Sequence, residues 1–404
     1  MSRTLKVAER AKVPAFEVMS ILDRVAALRA SGREVTSLCA GEPSDGAPTA
    51  VSARAAQIHA AGTPMTYTPP LGIHELREAI AGHYKRWYNV DVSPNNIAVT
   101  TGSSGAFMLL FLASFNAGDK VALARPGYPA YANILRTLGI DVIELAAGPE
   151  TRYQPSIKLL EAAWEEHGEL DGLMLASPAN PTGTMVSGTE LGELTAWCKD
   201  RGVRLISDEI YHGIDYPEAG AETRRSISAW ELDRDTIVIS SFSKYWGMTG
   251  WRLGWALVPD DLIGTVDALA GNVALCPPAP AQYAALAAFS EASYAEAEQR
   301  VAEFAKARAA LLAAIPRLGW GECAPADGAF YLYADLGPKL GSFPDSSAYC
   351  AALLEAEGIA IVPGIDFDKI DGGTRVRLSF AAGLKAVESA LEGILRFQQT
   401  HSDD

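Results

Sequence analysis

The chain predicts an α/β protein, with a mostly parallel sheet in a large domain and a smaller α+β domain beside it, on three observations. From about Ile97 short apolar runs alternate with helix-length segments, the signature of strand-helix-strand units. Those runs end in polar or turn residues, so chemistry-bearing side chains gather along one sheet edge, where open α/β sheets bind their ligands. After about Ala285 the pattern changes to one long helical stretch, two strand-like pieces and a closing amphipathic helix.

Taken in order, the first element is a helix, because Val18, Ile21, Leu22, Val25 and Leu28 recur at helical spacing. The segment Gly41 to Pro48, dense in Gly, Pro, Ser and Asp, is a loop and marks a domain boundary. A second helix carries Leu76, Ile80, His83, Tyr84 and Trp87 on one face, preceded by the loop Met65 to Gly72. Strands follow at Ile97-Ala98-Val99-Thr100, Val121-Ala122-Leu123, Leu173-Met174-Leu175, Val203 to Ser207 and Thr236 to Ile239. They end in Thr101-Gly102-Ser103-Ser104-Gly105, Arg125-Pro126-Gly127-Tyr128, Ser177-Pro178-Ala179-Asn180-Pro181, Asp208-Glu209-Ile210-Tyr211 and Ser240-Ser241-Phe242-Ser243-Lys244. Beyond Ala285, Tyr294, Ala297, Val301, Phe304, Leu311 and Ile315 predict a long helix, Ala329 to Tyr333 and Arg375 to Phe380 predict strands, and Leu384, Val387, Leu391, Ile394 and Leu395 close the chain as a helix. The large domain is expected over residues 48–285, and the small one over 1–47 and 286–404.

Composition sets the class. With 404 residues, 49% of them hydrophobic, the chain can bury a large core, and its net charge of −15 argues against a nucleic-acid surface. Five scattered cysteines, Cys39, Cys198, Cys276, Cys323 and Cys350, contain no Cys-x-x-Cys pair and are expected to be reduced and buried in a cytoplasmic protein, with no metal site. The charged stretch Met1 to Arg10 lacks an apolar signal core, and the longest apolar run, Ala106 to Ser114, is too short to span a bilayer.

Several strand ends suit specific chemistry. A lysine desolvated at a strand end becomes a nucleophile toward carbonyls, which Lys244 among serines could be. The Gly-Ser-Ser-Gly turn opening a helix, expected from Ala106, offers backbone N–H groups, two hydroxyls and the positive end of a helix dipole to an anion. It lacks the Gly-Lys-Ser/Thr of a P-loop, and Ala106 breaks a Gly-x-Ser-x-Gly elbow. Arg252, eight residues after Lys244, would add a cation. Asp208 directly after an apolar run brings charge to a buried edge and needs a cationic partner, for which a protonated ring nitrogen would serve. Tyr128 could stack on a planar ring.

This set resembles the class I and II aminotransferases, pyridoxal phosphate enzymes of fold type I, over nearly the whole chain. The resemblance rests on motifs in order: Tyr-x-Pro-x-x-Gly (Tyr67, Pro69, Gly72), Gly-Ser-Ser-Gly, Pro-Gly-Tyr-Pro, Asn-Pro-Thr-Gly from Asn180, Asp-Glu-x-Tyr, Ser-x-Ser-Lys, Gly-Trp-Arg-x-Gly and Arg-Leu-Ser-Phe. It implies that Lys244 holds pyridoxal phosphate through an imine and then shuttles a proton. Asp208 would keep the pyridine nitrogen protonated, and Tyr211 and Asn180 would hydrogen-bond the phenolic oxygen. Ser103, Ser104, Ser241, Ser243 and Arg252 would bind the phosphate, with Tyr128 stacked on the ring. Arg377 would grip the substrate α-carboxylate, with Gly41 beside it. It also implies a homodimer with shared sites, in which Tyr67 reaches the phosphate of the partner subunit.

Within that family the chain is expected to transfer amino groups between a small neutral L-amino acid, alanine or valine, and pyruvate or 2-oxoglutarate. Relatives that use aspartate place a cation before a Pro-Pro step or in the phosphate loop. Here those places hold Gly271 and Ser104, and no Lys or Arg occurs from Leu253 to Gln299. Val13, Phe16 and the Cys276-Pro277 loop supply apolar material instead, and Arg375 is too far along its strand to substitute. The competing readings are an aspartate or aromatic aminotransferase, a C–S lyase or decarboxylase on the same fold, and a regulator with an aminotransferase-like sensor, for which the chain lacks a basic DNA-binding module.

Overall fold

The computed structural model describes residues 5–217 and 226–401. Its strands are β1 (Thr36–Ser37), β2 (Ile97–Thr100), β3 (Lys120–Arg125), β4 (Asp141–Ala146), β5 (Gly172–Ala176), β6 (Arg204–Asp208), β7 (Ile237–Ser241), β8 (Gly254–Leu257), β9 (Tyr331–Asp335), β10 (Ile359–Ala360), β11 (Val362–Pro363) and β12 (Arg375–Ser379). Seven of them form one sheet in the order β2-β8-β7-β6-β5-β3-β4. Pairing is parallel from β4 through β3, β5 and β6 to β7, while β8 is antiparallel to both β7 and β2. Among the described residues β8 alone is therefore reversed in this sheet, and β2, β3, β5, β6 and β7 deliver their C-terminal ends to one edge.

Side-chain alternation explains why these runs are continuously apolar. Ile237 and Ile239 face one core with Ile206, Met174, Phe107 and Phe111, and Val238 faces the other with Leu173, Leu175, Leu205, Phe242 and Trp255. A strand covered on both faces needs an apolar residue at every position. The edge strand β4 is open at Asp141, Glu144 and Ala146, so its periodicity is weaker.

The remaining strands belong to the chain's two ends. β1 pairs with β10, and β12 lies between β11 and β9. The helix Glu17–Ala30 buries Val25 and Leu28, as its spacing predicts, and the long helix Glu291–Leu318 and closing helix Leu384–Thr400 occupy their expected places.

Four sequence expectations need correction. The helix after β2 begins at Gly102, not Ala106, so Ser103 and Ser104 are first-turn residues. β9 starts at Tyr331, two residues late, because Ala329 sits at φ +55°, outside the strand region. β7 runs on through Ser240 and Ser241, whose hydroxyls are buried. Of the five cysteines, which are free, Cys276 and Cys323 are only half-buried. Among the described residues no helix is long and apolar enough to cross a membrane.

Candidate active site

The edge where the parallel strands end is a cavity of about 600 Å³, closed from the other side by the N-terminal helix and by β12. Lys244, three residues past β7, stands on its wall, and its Nζ donates to the Gly41 carbonyl at 2.6 Å. Burial lowers the amine to about 8, against the opposing charges of Glu42 and Asp208. A substantial fraction is therefore neutral near pH 8, as a nucleophile or proton acceptor requires.

Asp208 lies under this wall, 2% exposed at the end of β6. Its Oδ2 accepts from the Tyr131 hydroxyl and its Oδ1 from the Ile210 N–H at 3.1 Å. Burial raises the carboxyl to about 6, the two hydrogen bonds and the charge of Lys244 pulling the other way. No salt bridge reaches it among the described residues, so its surroundings suit a cationic group brought by a ligand.

Beside Lys244 is an anion cradle. The helix Gly102–Ser114 points its first turn at the cavity, and its N-cap Thr101 makes no side-chain capping bond, which leaves first-turn N–H groups for a ligand. Ser103, Ser104, Ser243 and Arg252 line the cradle. A Cβ on Gly102, whose φ is +66°, would stand 2.5 Å from Arg252 Nη2, and one on Gly254 would stand 2.9 Å from the Gly102 carbonyl carbon. Glycine at both positions is what lets the helix, β8 and the guanidinium converge. Ser241 sits behind the wall, its Oγ bonded to Ser243 Oγ at 2.8 Å and to the Ser243 N–H at 2.9 Å, so Ser243 faces the cavity and Ser241 orients it.

At the opposite end Arg377 on β12 is 4% exposed. Its Nη1 donates to Asn180 Oδ1 at 2.9 Å, its Nη2 to the Cys39 carbonyl at 2.8 Å, and its Nε has no partner. The guanidinium lies 4.6 Å from the Tyr331 ring and 4.7 Å from that of Phe367. Tyr211 reaches the same end, its hydroxyl 2.7 Å from that of Tyr331. Tyr128 lines the wall, parallel to Phe16 at 6.1 Å between centroids.

The structure thus gathers Gly41, Ser103, Ser104, Tyr128, Asn180, Tyr211, Ser243, Lys244, Arg252 and Arg377 around one cavity, with Asp208 and Ser241 directly behind it. Tyr67 does not line it and is 80% exposed. Phe16 is on the wall, but Val13, Cys276 and Pro277 are not, which corrects that part of the expected pocket. Arg375 turns away to the Tyr153 hydroxyl at 2.7 Å and to Glu322 at 3.7 Å. Lysines and arginines on the wall, among the described residues, are Lys244, Arg252 and Arg377, while Phe16, Val18, Met19, Leu22, Phe107 and Ile210 make its apolar part. Sequence reasoning missed Tyr331, Tyr131 and Glu42. Alternation along β9 marks Tyr331 as facing one side or the other, and nothing local pairs it with Tyr211, 120 residues away. Among the described residues no cluster of His, Cys, Asp and Glu could hold a metal ion.

The donor set fits pyridoxal phosphate: a buried carboxylate for its ring nitrogen, an N-terminal helix cradle for its phosphate and a desolvated amine for its aldehyde. Comparison with known proteins agrees. Residues 33–394 match the model of the family aminotransferase class I and II. The chain is 47% identical over 392 residues to the valine–pyruvate aminotransferase of Mycobacterium tuberculosis, covering 97% of this chain and 98% of that one. It is 32% identical to an aspartate aminotransferase of Bacillus subtilis over 95% of this chain and 96% of the relative. Among solved structures, an aminotransferase from Mycobacterium tuberculosis superposes with a TM-score of 0.93 at 46% identity, covering 98% of this chain and all of that one. The aspartate aminotransferase of Thermus thermophilus with maleate gives 0.88 at 30% identity, over 97% and 100%.

Proposed function

The chain belongs to the class I and II aminotransferases, a pyridoxal phosphate-dependent family acting on amino and 2-oxo acids, and from that premise we propose that it exchanges the amino group of a small neutral L-amino acid, valine or alanine, with pyruvate or 2-oxoglutarate. The observation that carries this is the count of cations on the cavity wall. Arg252 serves the phosphate cradle, Lys244 the chemistry and Arg377 one carboxylate, and no fourth cation lines the wall among the described residues. A second substrate carboxylate would meet the half-buried Phe16, Val18 and Ile210 with no cationic partner on the wall, which is disfavoured. The 47% identity to a valine–pyruvate aminotransferase supports the same substrate class.

When bound, the cofactor supplies a carbonyl carbon to take the amino group and a pyridinium ring to accept the electron pair left at the substrate Cα. The residues here divide the remaining work. Asp208, too buried to keep a charge unpaired, would pair as a carboxylate with the ring nitrogen and keep that nitrogen protonated. Ser103, Ser104, Ser243 and Arg252 would anchor the phosphate, with Ser243 fixed by Ser241. Tyr128 would pack on the ring, and Asn180 and Tyr211, on the same wall, would hydrogen-bond its phenolic oxygen. Arg377 holds the α-carboxylate against Asn180 and Gly41, which orients the Cα–H bond toward the amine that removes its proton. Lys244 Nζ, whose basicity burial lowers, would take that proton and return it.

The proposal extends to organisation. Residues 48–285 would make up the large domain, and 1–47 with 286–404 the small one, a division that the pairing of β1 with β10 supports. Two chains would associate as a cytoplasmic homodimer in which the exposed Tyr67 reaches the phosphate held by the partner subunit.

The experiment is a half-reaction. Mixing the holoenzyme with L-valine or L-alanine alone should convert the bound cofactor from its aldehyde to its amine form without free ammonia. Ammonia released while the aldehyde form persists would identify a lyase and overturn the reading.

A further inference from the structure

The paired hydroxyls of Tyr211 and Tyr331, 2.7 Å apart and both on the cavity wall, share one hydrogen bond in which either oxygen could donate. Each phenol has a single proton. If Tyr211 gave its proton to Tyr331, none would remain for the cavity, and the role given to Tyr211 under the proposed function would fail. Two observations choose the direction. The guanidinium of Arg377 lies 4.6 Å from the Tyr331 ring, and a cation against the ring makes that phenol the better donor. Burial raises both phenols, Tyr211 well above its ordinary value and Tyr331 less so, with Arg377 opposing the rise at both. The other charged or titratable groups facing the pair are Lys244, 5.7 Å from the Tyr211 ring, Asp208 toward Tyr211, and Glu42 and Tyr128 toward Tyr331.

We propose that Tyr331 is a positioning residue for the reaction, its hydroxyl donating to Tyr211 so that the Tyr211 proton is turned into the cavity toward the phenolic oxygen of the cofactor. This rests on the role of Tyr211 stated above and adds what holds that role in place. The hydroxyl of Tyr331 is itself held in place. A Cβ on Gly41 would stand 3.1 Å from it, and its ring is wedged against Arg377, Phe330 and Tyr211. Hydrogen bonds in sequence polarise one another, so the donation also strengthens the bond that Tyr211 makes onward.

The test is the pH titration of the visible absorption of the bound cofactor, in the holoenzyme and in Tyr211→Phe, Tyr331→Phe and the double variant. A hydrogen bond to a charged acceptor is worth about one to two pKa units, so Tyr211→Phe should raise the spectroscopic pKa by that much. Tyr331→Phe, which keeps ring and cation contact, should raise it by about half a unit. In the double variant Tyr331→Phe should add nothing to the effect of Tyr211→Phe. A Tyr331→Phe titration coinciding with the parent while Tyr211→Phe shifts would overturn the proposal and leave the role of Tyr211 standing. No shift in Tyr211→Phe would overturn both. A melting temperature near that of the parent shows that Tyr331→Phe folds. If it does not fold, Gly41→Ala crowds the same hydroxyl and must raise the same pKa for the proposal to survive.

Discussion

Replacing Glu209 by glutamine should stabilise the cofactor-free protein at neutral pH and leave it nearly unchanged in mild acid. Glu209 follows Asp208 and is 2% exposed. Its Oε1 accepts from the Ala229 N–H at 2.8 Å and from Ser207 Oγ at 3.2 Å, but its Oε2 has no hydrogen-bond partner. The nearest basic group, His212 Nδ1, is 3.5 Å away, and burial holds that imidazole neutral, at about 3. Burial accordingly raises the Glu209 carboxyl to about 8 from the ordinary 4.5. A carboxyl whose folded pKa lies above its unfolded one favours folding at low pH. That contribution is lost as pH rises from the unfolded value through the folded one, here between about 4.5 and 8. At 1.36 kcal/mol per unit, the wild type loses about 2 to 3 kcal/mol between pH 5 and pH 7 through this group. Glutamine keeps the acceptor for Ala229 and cannot ionise, so the variant escapes the loss. The assay is the urea midpoint of both apoproteins at pH 5, 6 and 7 and one protein concentration. A difference between them that stays constant with pH would refute the claim that burial keeps Glu209 protonated.

Three further outcomes follow from the site. Lys244→Ala should lose the visible cofactor absorbance and at least about a thousandfold in turnover while melting near the parent, and multiple turnover at a normal rate would sink its assignment. Gly102→Ala places a Cβ 2.5 Å from Arg252 Nη2 at a φ of +66°, so the cofactor Kd, titrated on the apoprotein, should rise about tenfold or more, and an unchanged Kd would show that the cradle tolerates the methyl. Arg377→Ala should raise KM for every amino acid and every oxo acid together, by about ten- to a hundredfold, because all share the α-carboxylate; a rise for one class alone would contradict that role.

The central strands were legible because the sheet is covered on both faces, which writes each strand as an uninterrupted apolar run and makes its end conspicuous. Lys244, Asp208 and the Ser103-Ser104 turn could therefore be placed at one edge from sequence alone. Weakly patterned elements were not legible. The helix Thr49–Ala60 buries only Val51 and Ile58 among alanines and polar residues, and the helix Ser346–Glu357 is similarly rich in small residues. β4 is a half-exposed edge, and β8 is four residues that begin on the last glycine of the Gly-Trp-Arg-x-Gly motif, read as part of it. Contacts between distant segments were invisible for another reason. Tyr131 to Asp208, Tyr331 to Tyr211 and Lys244 to Gly41 join segments 77, 120 and 203 residues apart. Residue type constrains none of these pairs until the fold closes. Phe16 lines the cavity wall and Val13 does not, because Val13 belongs to the exposed segment that leads into the first helix.

The central claim, a cavity with one carboxylate site and an apolar remainder, is tested most directly by kcat/KM for L-valine, L-alanine and L-aspartate with pyruvate as the common acceptor. An unpartnered carboxylate against the half-buried Phe16, Val18 and Ile210 is disfavoured, so valine and alanine should exceed aspartate by at least about tenfold. An aspartate value tenfold above both would mean that a cation outside the described wall serves a second carboxylate, and would contradict the account.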